Sequence, residues 1–284
     1  MSTLKIPADY HLHSEFSSDC NTDIDLLIKS SMDKGLSSIC ITDHNDLDFP
    51  DVPDHMKFDL DMDAYKPRLK ELREKYSPEF DIRFGVEQGV MPSTCERLNN
   101  FSSIHPELDF IICSSHVVKG KDPYYPDAFQ YPDGSPIEPS EVYLSYFEDM
   151  LYNVTHFTDY SVYGHIDYIF RYGPDHVDDS LFRDKYFDIT KDILHDILEN
   201  IIKNGKGIEI NTGSLYRGMD FMHPHPLILQ MYKGLGGEII TFGSDAHDTQ
   251  HIAYSFDKAV QLAKDMGFKA FCTFKNLKPE FHSF

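Results

Sequence analysis

Short apolar, β-branched segments recur along this chain, each followed by a polar cluster and a stretch of helical period, and this alternation limits the fold more than any other feature. Strands are predicted over 9–14, 38–42, 82–87, 110–114, 162–166, 207–211 and 239–243. Helices are predicted over 23–34, with Thr22 as N-cap and Gly35 past its end, then over 64–76, 140–157, 185–204, 226–233 and 252–266. In the long helix 185–204, Phe187, Ile189, Ile193, Leu194, Ile197, Leu198, Ile201 and Ile202 form an apolar stripe wide enough to cover a sheet. Strands alternating with helices specify βα units on a parallel sheet. Seven such units fit one closed α/β barrel, a single domain over 1–284, better than two small domains.

The strand ends carry the chemistry. His11 and His13, two apart in DYHLHSEFSSD (9–19), point to the same face of the first strand, and Asp19 closes the segment. Later strands run into Thr42-Asp43-His44, into Glu87, into Ser114-Ser115-His116, into Gly164-His165-Ile166-Asp167 and into Gly243-Ser244-Asp245-Ala246-His247. A lone His-x-His pair fits a hydrogen-bonded core as well as a metal. Six histidines beside Asp19, Glu87 and Asp245, all at the C-terminal end of a parallel sheet where barrels carry active sites, fit a metal site. Imidazole nitrogen mixed with carboxylate oxygen suits zinc, manganese or iron rather than calcium. Nine candidate ligands exceed what one ion uses, so two or three ions are implied, with a carboxylate bridging two of them.

Several neighbours complete the picture. Asp43, Asp167 and Ser115 adjoin ligands and are expected to orient imidazoles, and Asn211 is expected to face the mouth as a substrate contact. His223 and His225, with a proline after each, offer a further ligand or substrate contact but are read as a rigid turn. Two long loops, 45–61 and 118–139, follow strand C-terminal ends and could form a lid or a substrate wall.

Composition removes other classes. The 26 Lys and Arg against 47 Asp and Glu give a net charge of −21, the opposite of the basic face that a nucleic acid or an anionic membrane requires. The opening MSTLKIPADYHLHSEF lacks the apolar core of a leader, and no run approaches a membrane span, which predicts a cytoplasmic protein. Cys20, Cys40, Cys95, Cys113 and Cys272 contain no CxxC pair, against both a disulfide framework and a thiolate zinc site. There is no G-x-S-x-G elbow, and neither a P-loop nor G-x-G-x-x-G follows a strand, against serine-hydrolase and nucleotide-binding readings.

The ordered motifs HLHS (11–14), ITDH (41–44), GVE (85–87), SSH (114–116), GHID (164–167) and GSDAH (243–247) resemble the polymerase and histidinol phosphatase (PHP) superfamily of metal-dependent phosphoesterases. EINTGSLYRG (209–218) and the tail FCTFKNLKP (271–279) look like its L-histidinol-phosphate phosphatase branch. The resemblance implies a distorted (β/α)7 barrel with a trinuclear site of divalent transition metals. It would place the first ion on His11, His13, Glu87 and Asp245, with Glu87 bridging to a second held by His116 and His165, and the third on Asp19, His44 and His247. Some relatives carry histidine where this chain has Asp19. Three dications against three ligand carboxylates leave a site charge of roughly +3, so a phosphate dianion can bind inside an acidic protein.

The implied reaction is hydrolysis of L-histidinol phosphate in histidine biosynthesis by direct in-line attack of a metal-activated hydroxide, without a phosphoenzyme. Arg171 and Arg217 are placed to grip the phosphate. Asp245 and His247 are both candidates to protonate the departing alkoxide. A cationic substrate would suit acids of the long loops. The alternatives are a PHP phosphoesterase for nucleotides or general small esters, a metal-dependent amidohydrolase, which usually expects a strand-borne lysine bridge, and a metal-binding domain with a silent site.

Overall fold

The computed structural model describes residues 8–284; the first seven residues, part of the stretch read above for a leader, lie outside it. Strands β1 (Asp9–Leu12), β2 (Ser38–Ile41), β3 (His44–Asp46), β4 (Asp81–Gly89), β5 (Phe110–Ser114), β6 (Val162–Tyr163), β7 (Gly207–Asn211) and β8 (Ile240–Gly243) pair in parallel in the order β1-β2-β4-β5-β6-β7-β8. β2 and β3 are one interrupted strand: β2 lines the first half of β4 and β3 the second. The seven strand positions nearly close into a barrel. A parallel bridge joins Leu12 to Ala246, with His13 N donating to Ala246 O (3.0 Å) and Asp245 N to His11 O (2.9 Å). Buried Asp9 clips the seam by accepting from Ser244 N (3.0 Å), Ser244 Oγ (2.6 Å) and Ala253 N (2.9 Å).

Helices α1 (Ile24–Asp33), α2 (Met62–Tyr76), α3 (Pro139–His156), α4 (Phe187–Lys203), α5 (Pro226–Gly234) and α6 (Phe256–Asp265) alternate with these strands. The cap of α1 is Asp23, not Thr22: its carboxylate accepts from Leu26 N at 2.9 Å, while Thr22 Oγ1 instead donates to His247 O. α4 buries Leu194, Ile197, Leu198 and Ile201 but leaves Ile189 exposed, so the stripe is narrower than its sequence suggests. α6 begins four residues later than expected, because 252–255 turn through positive φ at Ala253 and Ser255 and deliver the Ala253 amide to Asp9. Two single-turn helices, Cys95–Leu98 and Phe101–Ile104, join β4 to β5 where sequence periodicity shows none.

Alternation along the strands sorts the core. Ile39, Ile41, Ile82, Phe84, Ile111, Ile208, Ile210 and Phe242 pack outward under the helices, whereas Tyr10, Cys40, Phe110, Ile112 and Val162 form a separate inner cluster. An antiparallel hairpin, β9 (Ala270–Lys275) and β10 (Lys278–Ser283), adds Cys272 and Phe274 to that inner cluster. Tyr10 OH donates to Phe274 O (3.2 Å) and accepts from Phe274 N (3.1 Å), and Leu277 N donates to Asp109 O just ahead of β5. The hairpin therefore closes the floor of the barrel, at the N-terminal ends of the strands. Among the described residues no helix is long and apolar enough to cross a membrane. All five cysteines are buried and free.

Candidate metal centre

The mouth of the barrel is organised around Glu87, near the end of β4. Its Oε1 accepts from Ser114 Oγ (2.7 Å) and lies 2.9 Å from His165 Nε2 and 3.1 Å from His116 Nε2. Its Oε2 lies 3.1 Å from His44 Nδ1, 3.2 Å from His11 Nε2 and 3.4 Å from His13 Nε2. Five imidazoles thus surround one buried carboxylate, two on one oxygen and three on the other. Because β1 carries an irregular register against β2, with Asp9 opposite Ile39 and Leu12 opposite Ile41, one extra residue fits between the pairs. Tyr10 then reaches the floor while His11 and His13 reach the mouth.

Asp245 lies between these imidazoles and two arginines. Its Oδ1 is 3.6 Å from His13 Nε2, and its Oδ2 is 3.2 Å from Arg217 Nη1 and 3.7 Å from Arg171 Nη2. Its backbone is left-handed, with φ +54°, and is held there by Asp245 N donating to His11 O and by Tyr216 OH donating to Asp245 O at 2.6 Å. Asp19 and His247 stand farther out. Asp19 Oδ2 is 3.2 Å from His247 Nε2 and 3.7 Å from His44 Nε2, so His44 faces Asp19 with one nitrogen and Glu87 with the other. Gly213 and Gly243 are small by necessity. A Cβ on Gly243 would collide with Glu209 and His11, and one on Gly213 with Arg217 and Asn211.

The outer nitrogens of the imidazoles are fixed from behind. Glu209 Oε1 takes His11 Nδ1 at 2.6 Å while its Oε2 accepts from His165 N (3.1 Å) and Asn211 Nδ2 (3.0 Å). Asp46 Oδ2 takes His116 Nδ1 at 2.6 Å. Asp43 acts through a hydroxyl: Ser17 Oγ donates to Asp43 Oδ1 (2.7 Å) and accepts from His13 Nδ1 (3.0 Å). Each arrangement turns the opposite ring nitrogen inward.

Electrostatics follow from this packing. Burial raises the Glu87 carboxyl, but His11, His116 and His44 outweigh it and hold it well below the usual range. Burial likewise opposes ionisation of Asp245, and Arg217, His11, His247 and Arg171 bring it well below. Burial lowers His11 and His116, yet their paired carboxylates carry both well above an ordinary histidine; His44 is carried to about 9 against the same penalty by Glu87 and Asp19. His13, buried and facing His247 and His44, is pushed well below, and burial lowers His165 too.

The donor set fits divalent transition-metal ions. Among the described residues, His11 Nε2, His13 Nε2, His44 Nδ1 and Glu87 Oε2 are buried with no hydrogen-bond partner, a costly state for polar atoms unless something positive joins them. At the mouth, four three-residue groups bring ligand atoms within 4.8 Å of one another: His11/His13/Asp245, His11/Glu87/His165, His44/Glu87/His116 and His13/His44/His247. Beside them Arg171, stacked on Tyr168 (4.9 Å) and Tyr172 (5.5 Å), and Arg217 line one cavity of about 360 Å³.

All nine expected ligands and both arginines therefore meet at the mouth. Three expectations are corrected. Asp167 does not reach a ligand imidazole but holds the 223–225 turn, accepting from His223 Nδ1 (2.7 Å) and His225 N (2.8 Å). Ser115 bonds Tyr163 OH (2.6 Å). Asn211 does not line the cavity; both ends of its amide are used, by Gly213 N and Glu209. His223 and His225 are buried parts of that turn, and His225 Nδ1 caps α5 through Leu227 N. Sequence reasoning missed Glu209, Asp46 and Ser17. A carboxylate between Ile208 and Ile210 in an all-buried strand is the signal that points to Glu209.

A parallel barrel whose strand ends gather six imidazoles and a shared buried carboxylate beside two arginines is an architecture for metal-assisted chemistry on an anion. The chain belongs to the PHP domain family, whose pattern matches residues 9–213. It is 32% identical over 270 residues to a histidinol-phosphatase of Lactococcus lactis subsp. lactis (strain IL1403), covering 95% of each chain. It also superposes, with TM-score 0.81 and 28% identity over 96% of this chain and 98% of the other, on a crystal structure of histidinol phosphate phosphatase from Lactococcus lactis subsp. lactis Il1403 complexed with zinc, L-histidinol and phosphate. A Listeria monocytogenes structure shares the fold at TM-score 0.69 and 17% identity, over 88% of this chain and 99% of that one.

Proposed function

We propose that this protein is a divalent-metal-dependent phosphomonoesterase that hydrolyses L-histidinol phosphate to L-histidinol and inorganic phosphate. The observation that carries the reading is the set of buried, partnerless imidazole nitrogens around Glu87, next to Arg171 and Arg217 in the same cavity. The substrate is supported by the 32% identical histidinol-phosphatase and by the related structure holding L-histidinol and phosphate.

Three ions are proposed, of zinc, manganese or iron. His11, His13, Glu87 and Asp245 would hold one, Glu87, His116 and His165 a second, and Asp19, His44 and His247 a third. Bound there, such ions supply Lewis-acid polarisation of the phosphoryl group and a water activated near neutral pH. The chain's own residues do the rest. Arg171 and Arg217 orient the ester and neutralise its equatorial oxygens. Glu209, Asp46 and the Ser17–Asp43 pair keep the ring nitrogens of His11, His116 and His13 pointed inward. The alkoxide that leaves phosphorus would take its proton beside Arg217, where Asp245 and His247 are the titratable groups: His247, or a water that the ionised Asp245 orients, is the donor. One barrel domain suffices for all of this, and five free, buried cysteines suit a reducing cytoplasm.

The test is phosphate release from L-histidinol phosphate by protein reconstituted separately with zinc, manganese or iron, beside a chelated control and a panel of other esters. Chelator-sensitive turnover with kcat/KM about 100-fold above the panel, roughly 2.7 kcal/mol of discrimination, is expected. Equal, weak turnover of every ester would reject the substrate.

A further inference from the structure

The cavity at the mouth carries charge that the metal centre and the arginines leave unused. Six carboxylates line it: Asp19, Glu87 and Asp245 face imidazoles, Asp46 holds His116, and Asp54 and Asp122 remain. These two sit on the loops 45–61 and 118–139, and neither forms an ion pair among the described residues. The loops touch each other, with Tyr125 OH donating to Asp54 Oδ2 at 2.9 Å. Asp122 Oδ1 accepts from Tyr124 N at 2.9 Å. Each carboxylate therefore keeps one oxygen without a hydrogen bond among the described residues.

Aromatic rings connect this outer rim to the centre. Tyr124 packs edge-on against Tyr172 (6.3 Å), Tyr172 against Tyr168 (4.9 Å) and Tyr168 against His116 (5.5 Å). Carboxylates combined with aromatic faces are the chemistry that selects an organic cation. A place for an anion in the same cavity is marked independently. Arg171 has only 7% of its side chain exposed, yet among the described residues its Nε and Nη2 have no hydrogen-bond partner, and Asp245 stands 3.7 Å from Nη2, which leaves the guanidinium open to an anion. Apart from histidines, Arg171 and Arg217 are the only cationic side chains lining the cavity among the described residues. The cavity thus offers two arginines to an anion and, on its loops, two carboxylates without an ion pair among the described residues.

We infer that Asp122 and Asp54 are the specificity subsite of this cavity, holding the cationic end of a phosphomonoester whose phosphate lies at Arg171 and Arg217. The inference rests on the phosphomonoesterase reading above and names the acids that choose among esters.

The experiment compares wild type, Asp122→Asn, Asp54→Asn and the double variant, all metal-loaded, on two cationic esters, L-histidinol phosphate and O-phosphoethanolamine, and on neutral benzyl phosphate. The readout is the ratio of cationic to neutral kcat/KM within each protein, which cancels any loss of folded or metal-loaded fraction. A second readout is inhibition by L-histidinol against inhibition by inorganic phosphate. The ratio is expected to fall about tenfold or more in Asp122→Asn and further in the double variant, the size of a lost charge-assisted hydrogen bond. Inhibition by L-histidinol should weaken in step while that by phosphate holds. A preserved ratio in the double variant overturns the subsite while leaving the L-histidinol phosphate assignment intact. If wild type turns over both cationic esters equally and the ratio still collapses, the assignment falls and the subsite stands. A wild type indifferent to substrate charge overturns both.

Discussion

The two ends of the barrel use the same strands for opposite purposes. On the inward face of β5, Phe110 and Ile112 join the apolar floor, and two residues on Ser114 hydrogen-bonds Glu87 at the mouth. The floor is sealed by Phe274 and Cys272 from the terminal hairpin, and Tyr10 has both its phenol bonds satisfied by the Phe274 backbone. The mouth collects buried polar atoms with no partner. Packing there is traded for unsatisfied donors, and only a bound ligand offsets that cost. Stability should therefore reside at one end and chemistry at the other.

That separation can be broken deliberately. The largest effect is expected for Glu87→Gln, which removes the carboxylate shared by five imidazoles. Metal assistance is worth several kcal/mol, so kcat/KM should fall about a thousandfold or more, with metal content reduced and the circular-dichroism spectrum retained. At the floor, Phe274→Ala should cost about 3 kcal/mol in urea unfolding yet leave kcat/KM of the folded fraction within about twofold. Equal damage to activity would mean that the ends are coupled.

Behind the metal ligands the effect should be intermediate. Glu209→Gln loosens His11 and is expected to lower metal affinity about 10- to 100-fold, measured by competition with a chromophoric chelator. The smallest effect belongs to the turn at the barrel's flank. Burial holds His225 down to about 4, and Asp167 only partly opposes this. Its folded pKa is thus below its unfolded value, so its contribution is complete above about pH 6.5 and is lost as pH falls toward 4. His225→Gln should flatten Tm against pH across that window without changing kcat/KM at pH 7.5 by more than about twofold.

The floor and the mouth were not equally legible in the sequence. Strand ends at 44, 87, 116, 165 and 245–247 declared the centre, because side-chain polarity breaks the apolar pattern at one end of each βα unit. β6 is only Val162–Tyr163, so His165 lies beyond its strand; it reaches Glu87 because Gly164 lets the chain pass close to Ser114. What stayed hidden depends on distant partners. Glu209 meets His11 across 198 positions, and Tyr125 meets Asp54 across 71. The sealing hairpin is hidden too, since a two-residue link at Asn276 and Leu277, both at positive φ and neither a glycine, creates it.

The central claim is that the mouth holds its cations on Glu87 and the histidines around it. Anomalous scattering from crystals grown with zinc tests it most directly. One peak is expected among His11, His13, Glu87 and Asp245, a second among Glu87, His116 and His165, and a third beside Asp19, His44 and His247. Zinc bound elsewhere, with the mouth empty of anomalous signal, would contradict it.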